Sequence, residues 1–101
     1  MRPTSEQERK ILELLFEKAG LSFDAASLSV EPMDDGGTGS LKLSKYHAVM
    51  RFGRMAADVQ LTDTDGIPVL FSLYLDEQDK PYELDAFKSD YSPTQFLGYA
   101  S

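Results

Sequence analysis

Three runs in the second half of the chain alternate apolar and polar side chains with the period of a β-strand, and short acidic segments separate them. In the first, Met55, Ala57, Val59 and Leu61 share one face. In the second, Ile67, Val69, Phe71, Leu73 and Leu75 do so. In the third, Tyr82, Leu84 and Ala86 alternate with Glu83, Asp85 and Phe87. A period of two selects strands with one face in a core, and connections this short oblige neighbouring strands to run antiparallel. The connections are Asp63-Thr64-Asp65-Gly66 and Asp76-Glu77-Gln78-Asp79-Lys80, both rich in residues that turn the chain. An antiparallel meander is therefore the centre of the expected fold.

The first third of the chain supplies a cover for it. Thr4-Ser5-Glu6-Gln7 fits a capping box, with Thr4 as the cap and Gln7 reaching back. Ile11, Leu12, Leu14, Leu15, Phe16 and Ala19 follow at helical spacing, and Gly20 suits the position after the last turn. The spacing predicts a helix over residues 5–19, with Ile11, Leu12, Leu15 and Phe16 on the sheet. Leu28-Ser29-Val30-Glu31 reads as a further strand stopped by Pro32, and Ser40-Leu41-Lys42-Leu43 as another. Pro93 to Tyr99 fits one helical turn. The expected fold class is α+β: an N-terminal helix packed on an antiparallel β-meander of four to five strands, in a single domain over residues 1–101.

Charge is unevenly placed along the chain. The net charge is −7, from 17 acids and 10 bases. Residues 36–57 carry four bases and no acid, whereas residues 58–101 carry nine acids and two bases. A surplus of this sign repels phosphate backbones and anionic lipid, so neither nucleic acid nor membrane is an expected partner. The chain has no cysteine, which removes disulfides and thiolate metal sites. Its apolar run at 67–75 is too short to cross a bilayer as a helix. The first residues lead straight into a charged helix without a secretory signal, so a cytoplasmic location is expected.

Each candidate for chemistry lacks a necessary part. In Asp34-Asp35-Gly36-Gly37-Thr38-Gly39-Ser40 no lysine follows the last glycine and a strand, not a helix, comes next. A phosphate loop needs both, so these glycines are expected to take positive φ in a connecting loop, with Asp34 or Asp35 bonding local amides. Asp63-Thr64-Asp65-Gly66 places glycine too early for an EF-hand and reads as a hairpin turn. His47 is the single histidine, and no Gly-x-Ser-x-Gly elbow accompanies it. The segment from Lys45 to Phe52 mixes bases and aromatics, a pattern able to stack single-stranded nucleic acid. Four bases in an acidic domain suit pairing with the chain's own acids better. No cofactor and no metal are expected.

The segments Gly39-Ser40-Leu41-Lys42-Leu43, Asp63-Thr64-Asp65-Gly66 and Tyr82-Glu83-Leu84-Asp85-Ala86-Phe87-Lys88, behind a capped N-terminal helix, resemble a family of small bacterial cytosolic α+β proteins of uncharacterised function. In size, charge and style the chain is also similar to the immunity proteins encoded beside polymorphic or contact-dependent growth-inhibition toxins. That likeness implies a non-enzymatic protein that neutralises a basic, nuclease-type toxin by direct binding, its acids meeting the groove that holds the toxin's substrate. The residues expected to bind are Asp63, Asp65, Asp76, Glu77, Asp79, Glu83 and Asp85, most of them in or beside the two turns, and replacing the turn residues Asp63, Asp65, Asp76 and Asp79 with asparagine, as surface charges, is expected to leave folding nearly intact. The alternatives are a small hydrolase-like enzyme using His47, and a generic protein-interaction domain.

Overall fold

The computed structural model describes residues 1–34 and 37–95. In chain order the elements are β1 (Arg2–Pro3), α1 (Glu6–Ala19), β2 (Ser29–Pro32), β3 (Leu41–Lys42), β4 (Phe52–Thr62), β5 (Pro68–Asp76) and β6 (Pro81–Lys88). Single 3-10 turns lie at Ala25–Ser27 and His47–Val49. The strands form one six-stranded sheet in the order β1-β2-β3-β6-β5-β4, with every neighbouring pair antiparallel. The α+β architecture is as expected. The additional strand is β1, a two-residue strand containing proline, too short to show an alternation.

Helix α1 begins one residue later than its spacing suggests. Ser5 is the N-cap: its hydroxyl accepts from Glu8 N at 3.2 Å, and Glu8 Oε1 accepts from Ser5 N at 2.8 Å. Thr4-x-x-Gln7 and Ser5-x-x-Glu8 both satisfy the capping pattern. The second frame wins because a carboxylate at the third helical position can also take two hydrogen bonds from Arg2, at 2.7 and 2.8 Å. Thr4 instead donates to Ala25 O at 3.2 Å. At the other end Gly20 takes a left-handed conformation, and Leu21 N closes the helix on Phe16 O at 2.8 Å.

Ile11, Leu12, Leu15 and Phe16 are buried against the sheet, whereas Leu14 points outward. The helix packs on β4 and β5. Val69, Phe71, Leu73 and Leu75 form the buried row of β5, opposite Ala86 and Leu84 of β6, and Val30, Leu41 and Leu43 extend the core under β2 and β3. The row expected on β4 holds only in part. Ala57, Val59 and Leu61 lie on the core side and are partly buried, but Met55 is 49% exposed. A register shift between Met55 and Ala57 inserts an extra residue and reverses the alternation there, which turns Met55 to the other face.

The glycine-rich loop is held by the chain's later residues. Gly37 and Gly39 have φ of 84° and 111°. Thr94 N donates to Gly37 O at 3.1 Å and Thr94 Oγ1 to Thr38 O at 2.6 Å. The expectations for Asp35 and Gly36, and for a helical turn continuing past Gln95, lie outside the described residues.

Candidate binding surface

The two acidic turns sit at opposite ends of the β4–β5–β6 meander and are built differently. In the first, Asp63 is buried. Its Oδ1 accepts from Thr64 N at 2.7 Å and its Oδ2 from Gln95 N at 2.7 Å. The ammonium of Lys88, fully buried at the end of β6, donates to Asp63 Oδ2 at 2.7 Å, Asp65 Oδ2 at 2.6 Å and Pro93 O at 3.1 Å. Burial opposes the charge on this amine, but the bonds and negative charges of Asp63 and Asp65 outweigh it and hold Lys88 above the ordinary lysine range. The carboxylates of the Asp-x-Asp-Gly motif thus converge on an internal cation.

In the second turn Asp76 is also buried, but its Oδ1 accepts only backbone amides, Gln78 N at 2.9 Å and Lys80 N at 2.8 Å. Glu77 and Asp79 are exposed and face Arg51 at 4.0 Å and Arg54 at 3.1 Å. The close approach of β4 to this turn requires Gly53, where a Cβ would fall 2.3 Å from Asp76 O. Of the seven acids read as partner-binding, Asp63 and Asp76 are interior groups that hold their turns. This corrects the expectation that the turn acids are surface charges not needed for folding. Asp65 is tied to Lys88, and Glu83 to His47. Glu77, Asp79 and Asp85 remain at the surface.

The basic segment pairs with the chain's own acids. Besides Arg51 and Arg54, Lys42 lies 3.4 Å from Glu31, and His47 Nε2 lies 2.6 Å from Glu83 Oε2. The imidazole stacks on Tyr82, with ring centroids 4.5 Å apart and planes 10° from parallel. Glu83 orients the ring as an acid beside a general base would, but among the described residues no hydroxyl is hydrogen-bonded to it. A groove of about 740 Å³ lies nearby, lined by Leu43, Tyr46, Val49, Met50, Asp76 and Lys80 among others. Neither His47 nor Glu83 lines it. Among the described residues no group of three or more His, Asp or Glu side chains is placed to hold a metal ion. No helix there is long and apolar enough to cross a membrane.

Among the described residues the sheet face turned away from α1 exposes several large apolar side chains. Because Val69, Phe71, Leu73 and Leu75 face the helix, Leu70, Ser72 and Tyr74 point the other way. The register places three cross-strand rows on this face. The first is Gln60, Leu70 and Phe87; the second is Asp58, Ser72 and Asp85; the third is Met55, Tyr74, Glu83, Lys42 and Glu31. Phe87 is 46% exposed and meets Tyr91, itself 76% exposed, edge to face at 5.5 Å. Phe52 meets Tyr74 in the same way at 5.5 Å. Large apolar side chains gathered on one face mark an interaction surface more often than they occur by chance. Asp58 was not singled out in the sequence, where it is one polar residue in an alternating run.

A helix on one face of an antiparallel sheet, and an opposite face that exposes aromatic rings, define a small α+β fold. The chain belongs to the family described as Domain of unknown function (DUF6984), whose model matches residues 1–97. No curated protein and no solved structure matches the chain.

Proposed function

We propose that this protein is a non-enzymatic binding protein that neutralises a basic, nuclease-type toxin by direct contact, as an immunity protein does. The observation that carries this reading is the bare sheet face, where exposed Phe87, Leu70 and Met55 surround Asp58 and Asp85, which make no ion pair among the described residues. Association of proteins draws its energy from apolar and aromatic anchors, and charge steers the encounter. Much of the chain's basic charge is already spent. Arg2, Arg9, Lys10, Lys42, Arg51, Arg54 and Lys88 each stand in an ion pair, which leaves the surface surplus negative. Glu77 and Asp79, paired with Arg51 and Arg54, lie at one end of the sheet and form the rim of the proposed interface.

The reading is tested in the gene neighbourhood and then in the cell. The adjacent upstream gene should encode a large secreted protein with a variable C-terminal region. Expression of that region alone should arrest growth, and co-expression of this protein should restore growth and give a complex that co-elutes in gel filtration. A metabolic operon in that position, or a toxic region that neither binds this protein nor is relieved by it, overturns the proposal.

A further inference from the structure

We infer that the Asp58–Ser72–Asp85 row is the seat for an arginine side chain of the basic partner, an inference that rests on the reading above and names the group that the bare face recognises. Asp58, Ser72 and Asp85 are directly opposite one another on β4, β5 and β6. The two aspartates are thus two strand spacings apart, roughly 10 Å between Cα positions, with a small hydroxyl residue between them. Both are exposed and Ser72 is buried. Lys18 reaches the backbone carbonyl of Asp58 at 2.6 Å, not its carboxylate, and no ion pair is made by that carboxylate among the described residues. The Asp85 carboxylate receives the Ser40 hydroxyl at 3.3 Å, an uncharged donor that leaves its charge in place. The base on the same face, Lys42, is held by Glu31 in the next row.

The rows on either side decide between the two possible cations. Leu70 and Phe87 border the aspartates on one side, and Met55 and Tyr74 on the other. A lysine ammonium is compact and strongly hydrated, and apolar walls penalise the loss of that water. A guanidinium is flat, weakly hydrated and able to stack on rings while its edges donate to two carboxylates at once. The site therefore favours arginine over lysine. Its charge also matches what a protein that grips phosphate must display, since such surfaces are rich in arginine.

The probe is N-acetyl-arginine amide, titrated at low salt into the isotope-labelled full chain and followed by amide chemical shifts, with N-acetyl-lysine amide as the comparison. Saturable shifts centred on Asp58, Ser72, Asp85 and Phe87 are expected, with the lysine probe weaker. Asp58→Asn/Asp85→Asn, two exposed substitutions, should keep the spectrum of a folded protein and weaken the arginine probe roughly tenfold, as expected for the loss of two exposed charge contacts. Shifts centred on residues 77–80 or on the groove, no saturable shift, or an unchanged affinity in the double variant each overturn the inference. The two readings fail separately. A toxin held as tightly by the double variant as by the wild type removes the arginine seat and leaves the immunity reading standing. A metabolic gene neighbourhood with the probe still on the row removes the toxin and leaves the seat.

Discussion

The two hairpin turns of the meander look alike in sequence and differ inside the molecule. Each opens with an aspartate that is buried and accepts backbone amides of its own turn. At the first turn the register sets Lys88 opposite Val69, so its side chain enters the core side of the sheet and ends between Asp63 and Asp65. At the second turn, among the described residues, no base meets Asp76, whose carboxylate accepts two amides, and the exposed acids beside it face surface arginines. Acidity along a sequence is therefore a poor guide to negative charge available at a surface. A single buried cation, far along the chain, changes an apparent binding loop into part of the interior.

Mutation of the two leading aspartates separates the turns most sharply. Asp63→Ala removes one partner of a buried ion pair and should cost roughly 3–5 kcal/mol in urea unfolding. That is comparable to Phe71→Ala in the core, where lost burial and a cavity give a similar figure of about 3–5 kcal/mol. Asp76→Ala strands two amides at a site with no ion to expose, and roughly 1–3 kcal/mol is expected. Equal losses at the two positions would erase the distinction. A loss at Asp63 below about 1 kcal/mol would show that its carboxylate is replaceable by water.

Next in size is the response to pH. The folded-state pKa of Lys88 is raised by its two aspartates, so its contribution is complete below the unfolded lysine value of about 10.4 and is lost as pH climbs through the higher folded value. Glu8 behaves in the opposite sense. Burial works to raise its pKa, but the bonds from Arg2 and Ser5 prevail and lower it. Its contribution is present above the unfolded glutamate value of about 4.3 and disappears as pH falls through the depressed folded value. Thermal melts across pH should show an alkaline step absent from Asp63→Asn and an acid step absent from Glu8→Gln. An alkaline step that survives in Asp63→Asn would assign it to another group.

The smallest effect belongs to the exposed half of the second turn. Glu77→Gln with Asp79→Asn loses two surface pairs and should change stability by no more than about 0.5 kcal/mol. A larger loss would mean that the second turn, like the first, depends on its ion pairs.

What could be read from the sequence follows the range of the interaction. The helix, its buried face, the alternation on β5 and β6 and both turns are set by residues a few positions apart. The bulge that turns Met55 outward is a matter of pairing between β4 and β5. The cap moved from Thr4 to Ser5 because Arg2, on a strand too short to recognise, binds Glu8. The seven candidate acids were chosen by density in the sequence, whereas their availability depends on Lys88, Arg51, Arg54 and His47. The Lys42 and Glu31 end of the bare face became visible only when β6 was placed between β3 and β5.

That placement also sets an order of assembly. Strands β4, β5 and β6 are chain neighbours and can zip together through local contacts, whereas β3 must bring Leu41 and Lys42 to Leu84 and Glu83 across a long loop of chain. Closing such a loop costs entropy before any contact repays it. The β1–β2–β3 flap is joined to the meander by this short pairing, by Leu43 N on Tyr82 O, and by the Ser40 hydroxyl, which accepts from Ala86 N at 2.9 Å. The molecule thus has a late-closing side and an early one. In native-state hydrogen exchange the amides of β2 and β3 should open together, at lower free energy than those of Phe71 and Leu73, so that the sheet breathes along the β3–β6 seam and not along the hairpins.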